Sequence, residues 1–235
     1  MQNALQNPKN QTGKMTTLRQ FQMNDLFRFN NVNLDILTAT YNQNFYLSYM
    51  SHWPEAFTVA EGPSPSFCSS NPHINNSTQT SDCQHSHSTQ PQSTPPIMGY
   101  MLGKSEGMEK LWHGHVSAVT VAPTYRRLGL AKVLMDDLET ISSDVYNAHF
   151  VDLFVRASNS LAIAMYEKFG YVKYRRVLEY YSSDDSMKDG MLGMEDAWDM
   201  RKALRRDANK ESVVPLEQPV RPEDLEWWGG KNETY

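Results

Sequence analysis

The sequence predicts a single mixed α/β domain, because short apolar segments typical of β-strands alternate with segments of helical periodicity. Residues 150–155 are almost wholly apolar, as is expected of a strand buried at the centre of a sheet. Leu130, Leu134 and Leu138 recur at helical spacing and predict an amphipathic helix over 130–142. The chain of 235 residues is long enough for one such domain with a well-filled core.

The elements can be assigned in order along the chain. The predicted strands are 17–22, 57–61, 98–104, 113–121, 150–155, 172–181 and 197–202. The second and third of these are expected to pair as a hairpin with a long connection. The predicted helices are one that Asn24 caps and that buries Leu26, Phe27 and Phe29, the one over 130–142, and one over 160–169 that ends at Gly170.

Three segments have compositions that do not support a packed core. Residues 1–14 are rich in Asn and Gln and predict a disordered extension. Residues 62–96 are mainly Ser, Pro, Asn, Gln, Thr and His, so we expect a disordered loop inserted in a domain over 15–206, followed by an extended C-terminal tail over 207–235. The insertion contains metal-ligand residue types whose spacing fits no common zinc pattern, and no metal is expected there: Cys68, His73, Cys83, His85 and His87.

Charge and composition exclude several classes of function. The net charge of −5 gives no reason to expect nucleic-acid binding. A membrane span would need roughly 18 consecutive apolar residues, and the sequence has no such stretch. The first residues lack the apolar centre of a signal peptide, and the two cysteines cannot define a disulfide framework. These features favour a reducing, cytoplasmic location.

The most informative segment is the turn between the strand ending at Val121 and the helix beginning at Leu130. It has the pattern Arg126-x-x-Gly129-x-Ala131. The first N–H groups of a helix have no intrahelical partner and, with the helix dipole, they suit a pyrophosphate. Small residues let phosphate oxygens approach the backbone, and Arg126 and Arg127 add positive charge. The alternative is an ordinary turn with a surface arginine pair; neither a Walker loop nor a dinucleotide fingerprint is present.

A second candidate pair follows the apolar strand over 150–155. Asn159 and Tyr166 are seven residues apart, about two helical turns, and therefore share one face of the predicted helix. If that face borders a bound thioester, both side chains can reach it, and a phenol can protonate or stabilise a thiolate leaving group. The alternatives are a plain helix cap for Asn159 and a core aromatic for Tyr166.

Residues 119–131 resemble motif A of the GNAT acetyltransferases, which bind acetyl-CoA. The resemblance implies a GNAT fold, with a mixed sheet of about seven strands that splay at the cofactor site and helices on its faces. It implies that backbone N–H groups of the turn hold the pyrophosphate and that the preceding strand pairs with the pantetheine arm. The cofactor-binding residues implied in this way are Val119, Thr120, Val121, Arg126, Arg127, Leu128, Gly129, Leu130, Ala131, Asn159 and Tyr166, with Tyr166 as the general acid.

A wider set of matches is more specific. Segments 15–19, 25–31, 45–47, 52–55, 112–116, 179–181, 199–204 and 219–224 resemble the catalytic subunits of the NatB N-terminal acetyltransferases. That family acetylates nascent proteins that begin Met-Asp, Met-Glu, Met-Asn or Met-Gln. The resemblance implies that His115 contacts the side chain at substrate position two, where an imidazole can donate a hydrogen bond to either side-chain type. It also implies that Tyr41, Ser117, Tyr180 and Tyr181 line the peptide path.

Some alternatives remain open at the level of sequence. The Tyr180–Tyr181 pair could reflect strand packing, with one ring on each face of the sheet. Ala39 stands where the family usually has an acidic residue, which puts one peptide contact in doubt. No side chain identifies itself as the general base. The substrate could be another amine, such as a lysine or a polyamine, and a non-catalytic scaffold is the third hypothesis.

The resemblance also implies partners. The family works with a large helical-repeat auxiliary subunit that reaches the ribosome and the nascent peptide. The region from Leu26 to Met50, rich in Leu, Phe and Tyr, is the expected docking surface, with a pair of core helices as the alternative. Direct binding to nucleic acid or membrane is not expected.

Overall fold

The computed structural model describes residues 16–33, 38, 40–63, 94–181 and 194–225. Seven strands form one open mixed sheet in the order β1-β2-β3-β4-β5-β7-β6, which confirms the expected fold class. The strands are β1 (Thr17–Gln20), β2 (Phe57–Glu61), β3 (Ile97–Glu106), β4 (His113–Val121), β5 (Phe150–Arg156), β6 (Val172–Tyr181) and β7 (Glu195–Ala203). The α-helices in this part of the chain are α1 (Gln43–His52), α2 (Leu130–Asp144) and α3 (Ser160–Lys168). None of the described helices is long and apolar enough to cross a membrane.

The prediction for the first helical region was wrong in two respects. The segment Met23–Phe27 is a short 3-10 helix, and Asn24 lies inside it, exposed, instead of capping it. Phe27 was predicted to be buried, but it is 75% exposed. The reason is Asp25, which is buried and bonded to Arg19 and Arg28 and to the backbone of Gln22, so that it fixes how this turn faces the sheet.

The parallel pair at the centre of the sheet is short. β4 pairs with β5 only where His113 to Val116 lie opposite Phe150 to Leu153. Beyond these residues the two strands separate, while β5 stays paired with β7 along its whole length, from Phe150 to Arg156. The sheet therefore opens between residues 117–121 of β4 and residues 154–156 of β5, and each strand turns a backbone edge toward this opening.

A β-bulge lies where the opening begins. Leu102 of β3 is opposite Ala118, but the next residue, Gly103, is opposite Val116, so Ser117 is an extra residue in β4. Because side chains alternate along a strand, this extra residue reverses which face the following side chains occupy. As a result Val116 and Val119 both pack in the cluster under α2, while Ala118 packs in the cluster around α1.

Helix α2 packs closely on the middle of the sheet. Leu134, Met135 and Leu138 are fully buried against it. Two glycines in the strands below make room, since a Cβ on Gly103 would lie 2.6 Å from Leu138 Cδ1 and one on Gly114 would lie 2.8 Å from Ser142 Cβ. This packing places the N-terminus of α2 next to the end of β4.

The segment after β7, expected to be an extended tail, lies along β6. Leu216 N–H donates to Tyr174 O at 2.6 Å, Leu178 N–H donates to Val220 O at 2.8 Å, and Leu225 is buried. Ser212 O also accepts from the buried Arg201. Residues 216–220 thus pair with the outer edge of β6, and Ser212 contacts one of the buried charges of the sheet.

We expect Gly114→Ala to lower the free energy of unfolding by about 2 kcal/mol, because the new Cβ would push α2 away from β4. Urea unfolding followed by circular dichroism measures the change. Gly62→Ala is the control, since its Cβ would lie 3.1 Å from the Pro96 ring and 3.4 Å from Met98 Sδ, and it should cost less. Wild-type stability in Gly114→Ala would contradict the close helix–strand packing.

Candidate active site

The turn after β4 presents backbone donors at an exposed helix end. Gly129 is the N-cap of α2 with φ +81°, and no side chain caps the helix there. Arg127 is also left-handed, with φ +66°, and the segment 126–129 is exposed. A 15-residue helix with open first N–H groups attracts an anion through those groups and its dipole. The turn thus has the features that the sequence prediction requires.

The side chains of the two arginines differ in their contacts. Arg126 Nε donates to Val121 O at 3.1 Å, which ties the turn to the end of β4. Arg127 is exposed, as is Leu128, while Leu130 is buried under the helix. Both guanidinium groups therefore add positive charge to this turn, and Arg126 also shapes it.

The cofactor-binding strand predicted at Val119, Thr120 and Val121 borders the opening through its backbone. The side chains of Val119 and Val121 pack against the core under α2, whereas Thr120 is buried on the other face. None of the three therefore offers a side chain along the strand edge. What β4 presents to the opening is its row of peptide groups, which is the surface that an added extended chain needs.

The two residues predicted on α3 have different environments. Asn159 caps the helix, with its Oδ1 accepting from Ala162 N–H at 3.1 Å, so the simple capping alternative describes its contact here. Tyr166 is buried, with its ring edge-on to Phe169 and Tyr171. Burial raises the pKa of Tyr166 to about 12, so the phenol stays protonated near neutral pH and is available as a donor.

Two tyrosines bind Ser117 on the α1 side of the opening. Tyr41 OH donates to Ser117 O at 3.3 Å, and the hydroxyls of Tyr49 and Ser117 lie 2.7 Å apart. The Tyr41 ring stacks on Phe45 at 4.1 Å, and burial raises the pKa of Tyr41 to about 12. Tyr49 was not predicted as a site residue, because nothing in the sequence indicates that α1 packs beside the bulge at Ser117. Ala39, the departure noted upstream of Tyr41, lies outside the described residues.

Tyr180 and Tyr181 both pack against β5, so the alternative of strand packing with one ring on each face does not describe them. The Tyr180 ring stacks on Phe154 at 4.5 Å, and Tyr181 OH donates to Phe154 O at 3.1 Å. Glu179 has φ +54° and the pairing register shifts between Val177 and Tyr181, which breaks the normal alternation.

The predicted tyrosines surround the opening from both sides. Burial raises the pKa of Tyr180, and Tyr181, Asp152 and Tyr41 are near enough to raise it further. Burial likewise raises the pKa of Tyr181, with smaller contributions from Tyr166 and Tyr41. Tyr41, Tyr166, Tyr180 and Tyr181 therefore form one group, although they come from four separate parts of the chain.

His115 lies at the closed end of the opening and is bonded to a buried carboxylate. His115 Nδ1 is 2.8 Å from Asp152 Oδ1. Burial alone would raise the pKa of Asp152, but the charges of His113, His115 and Arg201 outweigh it and hold the pKa at about 2. Asp152 was missed as a site residue, although an acidic residue inside an apolar strand was a signal that could have identified it.

The surrounding polar groups form a hydrogen-bonded cluster. His113 Nδ1 donates to Leu111 O at 2.6 Å, and its ring stacks on Phe150 at 4.7 Å. One possible metal-ligand atom from each of Glu106, His113 and His115 lies within 4.8 Å of the other two, a spacing that a metal ion could use. We assign no metal to this cluster. The cysteines and histidines singled out in the 62–96 insertion lie outside the described residues.

Comparisons with known proteins agree on one family. The sequence profile of the Acetyltransferase (GNAT) family matches residues 49–171. The N-terminal acetyltransferase B complex catalytic subunit of Arabidopsis thaliana is 49% identical over 213 residues, which cover 91% of this chain and 99% of that protein.

Solved structures give the same result. Chaetomium thermophilum Naa20, in complex with a bisubstrate analogue, has a TM-score of 0.67 and 36% identity, covering 88% of this chain and 97% of that one. A NatB acetyltransferase complex bound to a bisubstrate inhibitor contains a chain with a TM-score of 0.64 and 35% identity, covering 89% of this chain and 98% of that one.

Gly129→Ala tests the turn as an anion site. The left-handed backbone should cost about 1 kcal/mol of stability, and the added methyl group would occupy the open space where a phosphate approaches. We expect the dissociation constant for coenzyme A, measured by calorimetry, to rise about tenfold, roughly the loss of one charge-assisted hydrogen bond.

Gly170→Ala is the matched control for this test. Gly170, which ends α3, has φ +94°, so an alanine there strains the backbone about as much as one at Gly129. The new Cβ would lie near Lys202 and far from the turn that precedes α2. Equal coenzyme A affinities in the two variants would contradict a phosphate site at Gly129.

Proposed function

The chain belongs to the Acetyltransferase (GNAT) family and, within it, to the catalytic subunits of NatB complexes, and from this premise we propose how its site acts. It is an acetyl-CoA-dependent N-terminal acetyltransferase. It transfers acetyl groups to the α-amine of proteins that begin Met-Asp, Met-Glu, Met-Asn or Met-Gln. Besides the family membership, the observation that carries this function is the opening between β4 and β5, which ends at the uncapped N-terminus of α2.

Acetyl-CoA binds along the β4 side of this opening. Its pyrophosphate is held by the backbone N–H groups from Arg127 to Ala131, with positive charge from Arg126 and Arg127. Its pantetheine arm pairs with the free edge of β4 at residues 119–121, as an added strand would. The bulge at Ser117 supports this arrangement, because it keeps the apolar side chains of that stretch in the core and leaves the peptide groups for pairing.

Acetyl transfer requires a neutral amine and a stabilised leaving group. The amine nitrogen bonds to the thioester carbonyl carbon and the C–S bond breaks, and overall the proton that the nitrogen loses balances the one that the coenzyme A thiolate takes up. Tyr166 donates a hydrogen bond to the developing thiolate, and its raised pKa keeps that proton in place at neutral pH. An α-amine, with a pKa near 8, loses its own proton more readily than a lysine with a pKa of about 10.4, which favours an N-terminal substrate.

The peptide enters from the side lined by tyrosines. Tyr41, Tyr180 and Tyr181 surround it and Ser117 lies at the base, where Tyr41 and Tyr49 hold the bulge in place. Their rings pack the initiator Met and their hydroxyls bind peptide backbone. His115, on β4 two residues before the bulge, contacts the side chain at position two.

The enzyme acts with an auxiliary subunit of the NatB type. The docking surface predicted from Leu26 to Met50 carries exposed apolar side chains at Phe27 and Leu47, with Met23 beside them. Exposed aromatic and aliphatic groups of this kind are typical of a surface that another subunit covers. Through this large helical-repeat subunit the enzyme reaches the ribosome and nascent chains in the cytoplasm.

A peptide panel tests the substrate. The catalytic subunit, purified with its auxiliary subunit, should acetylate a Met-Asp peptide with a kcat/KM at least about a hundredfold above that of Ser- or Ala-starting peptides, because those lack both anchoring side chains. Product formation measured by mass spectrometry gives the rates. Equal rates on all N-termini, or activity only on internal lysines, would reject this specificity.

Tyr166→Phe tests the role of the Tyr166 hydroxyl as the general acid toward the leaving thiolate. We expect kcat to fall about a hundredfold with little change in the affinity for acetyl-CoA, because the hydroxyl acts on the leaving group and not on the bound cofactor. Tyr171→Phe removes a buried hydroxyl from the neighbouring ring, whose centroid is 6.0 Å away, and should change kcat by less than about threefold. Unchanged turnover in Tyr166→Phe would remove Tyr166 from this role.

A further inference from the structure

Arg156 is the last residue of β5, and its side chain lies beside a tyrosine of the proposed peptide path. Because side chains alternate along a strand, Arg156 is on the same face of the sheet as Phe154, and both border the opening. The guanidinium carbon of Arg156 lies 4.2 Å from the centre of the Tyr181 ring. A cation at this distance from an aromatic face is attracted by the ring's π-electrons. The charged group therefore covers one face of Tyr181.

The guanidinium is itself fixed by a carboxylate. Arg156 Nη1 donates to Glu195 Oε2 at 3.2 Å, and the other oxygen of Glu195 accepts from Ser158 N–H at 2.8 Å. Burial alone would raise the pKa of Glu195, but the hydrogen bonds from Ser158 and Arg156 outweigh it and lower that pKa, so the carboxylate is ionised at neutral pH. Glu195 also lies opposite Tyr181 in the pairing of β6 with β7. The carboxylate thus ties Arg156 to the turn that opens α3.

The Tyr181 ring depends on such contacts because the pairing of its strand is interrupted. Between Val177 and Tyr181 the register of β6 against β7 shifts, so the ladder does not fix how the ring is turned. The Tyr181 hydroxyl donates to Phe154 O at 3.1 Å, which holds the far end of the side chain. Arg156 covers the face of the ring. These two contacts with β5, one at the hydroxyl and one over the ring, together orient Tyr181.

We propose that Arg156 is a positioning residue for peptide binding, which keeps the Tyr181 ring against β5 as a fixed wall of the peptide path. The inference rests on the proposed function, in which Tyr181 lines that path. The competing explanation is an ion pair that serves only stability. The side chains of Arg156 and Glu195 are 31% and 19% exposed, and pairs open to water contribute little to stability. The two explanations therefore predict different results.

Arg156→Met removes the planar cation and keeps most of the length of the aliphatic chain. In the enzyme purified with its auxiliary subunit, we expect the KM for a Met-Asp peptide to rise about tenfold. The kcat and the Kd for acetyl-CoA should stay within about twofold of the wild type, and the Tm should fall by no more than about 4 °C. A wild-type peptide KM, or an acetyl-CoA affinity that weakens as much as the peptide KM rises, would overturn the proposal.

Two further variants separate the contact with Tyr181 from a general loss of charge. Arg156→Lys keeps a cation that can lie over the ring, so its peptide KM should be within about threefold of the wild type. Lys173→Met is the matched control, because Lys173 Nζ lies 5.3 Å from the centre of the Trp198 ring and 3.5 Å from Glu167, neither of which is predicted to line the peptide path. Its peptide KM should change by less than about twofold. A rise in Lys173→Met equal to that in Arg156→Met would overturn the proposal.

A double-mutant comparison establishes whether Arg156 acts through Tyr181. Tyr181→Leu removes the ring, so adding Arg156→Met to it should change the peptide KM by less than about twofold. A further tenfold rise would mean that Arg156 acts independently of the ring, and would overturn the positioning role.

The remaining outcomes are also decided. If Arg156→Met does not fold, Glu195→Gln takes its place, because it loosens the guanidinium and leaves the cation present; its peptide KM should rise about threefold, and a wild-type KM would overturn the proposal. A wild-type complex that is inactive on Met-Asp peptides would reject the proposed function itself. An active wild-type complex whose Arg156→Met variant keeps the wild-type KM would reject this inference alone.

Discussion

The separation of β4 from β5 after Val116 and Leu153 is the constraint on which the rest of the site depends. A buried parallel sheet normally satisfies every backbone group, so a gap at its centre is stable only if neighbouring elements define its walls. The β7 strand holds the far edge of β5 along its full length, and α2 holds the near side through its close packing over Gly114. The gap is therefore rigid on both sides, which suits a site that must align a thioester with an amine.

The same construction explains why charges are buried beside the gap. Placing Asp152 and His115 in the interior costs desolvation energy, and replacing such groups with apolar ones is often neutral or stabilising. The sheet limits that cost with complementary partners, since Arg201 and Arg175 accompany Asp199 on the adjoining strands. Ser212 O, in the segment after β7, accepts a further hydrogen bond from Arg201. The buried charges beside the gap are therefore kept in pairs, and loss of any one partner would leave an uncompensated charge in the interior.

The strands, the turn and the helices of the site could be predicted from the sequence, because the pattern that indicates each one lies within that element. The alternation around Val119 and Val121, the small residues of the turn and the helical repeat from Leu130 each specify their own element. Features that depend on how one strand is aligned with another could not be predicted from the sequence. The bulge at Ser117 adds one residue that no pattern marks, and the left-handed Glu179 puts both tyrosines on Phe154. The His115–Asp152 contact needed the alignment of two strands 37 residues apart, and the exposure of Phe27 followed from the buried Asp25.

In the proposed function, cofactor binding and substrate recognition share one strand, which has a consequence for specificity. β4 contributes His115 before the bulge and the cofactor-facing edge after it. With a rise of about 3.3 Å per residue, His115 lies roughly 7 Å along the strand from Ser117, where the gap opens. This is about the distance from a peptide's α-amine to the end of its second side chain, because one residue spans about 3.8 Å and the side chain adds a few more. If His115 recognises position two as proposed, the strand fixes the distance between the reacting amine and that recognition group. A substrate amine on a long flexible side chain has no second residue at that fixed distance, so the geometry of β4 itself favours a protein N-terminus over a lysine.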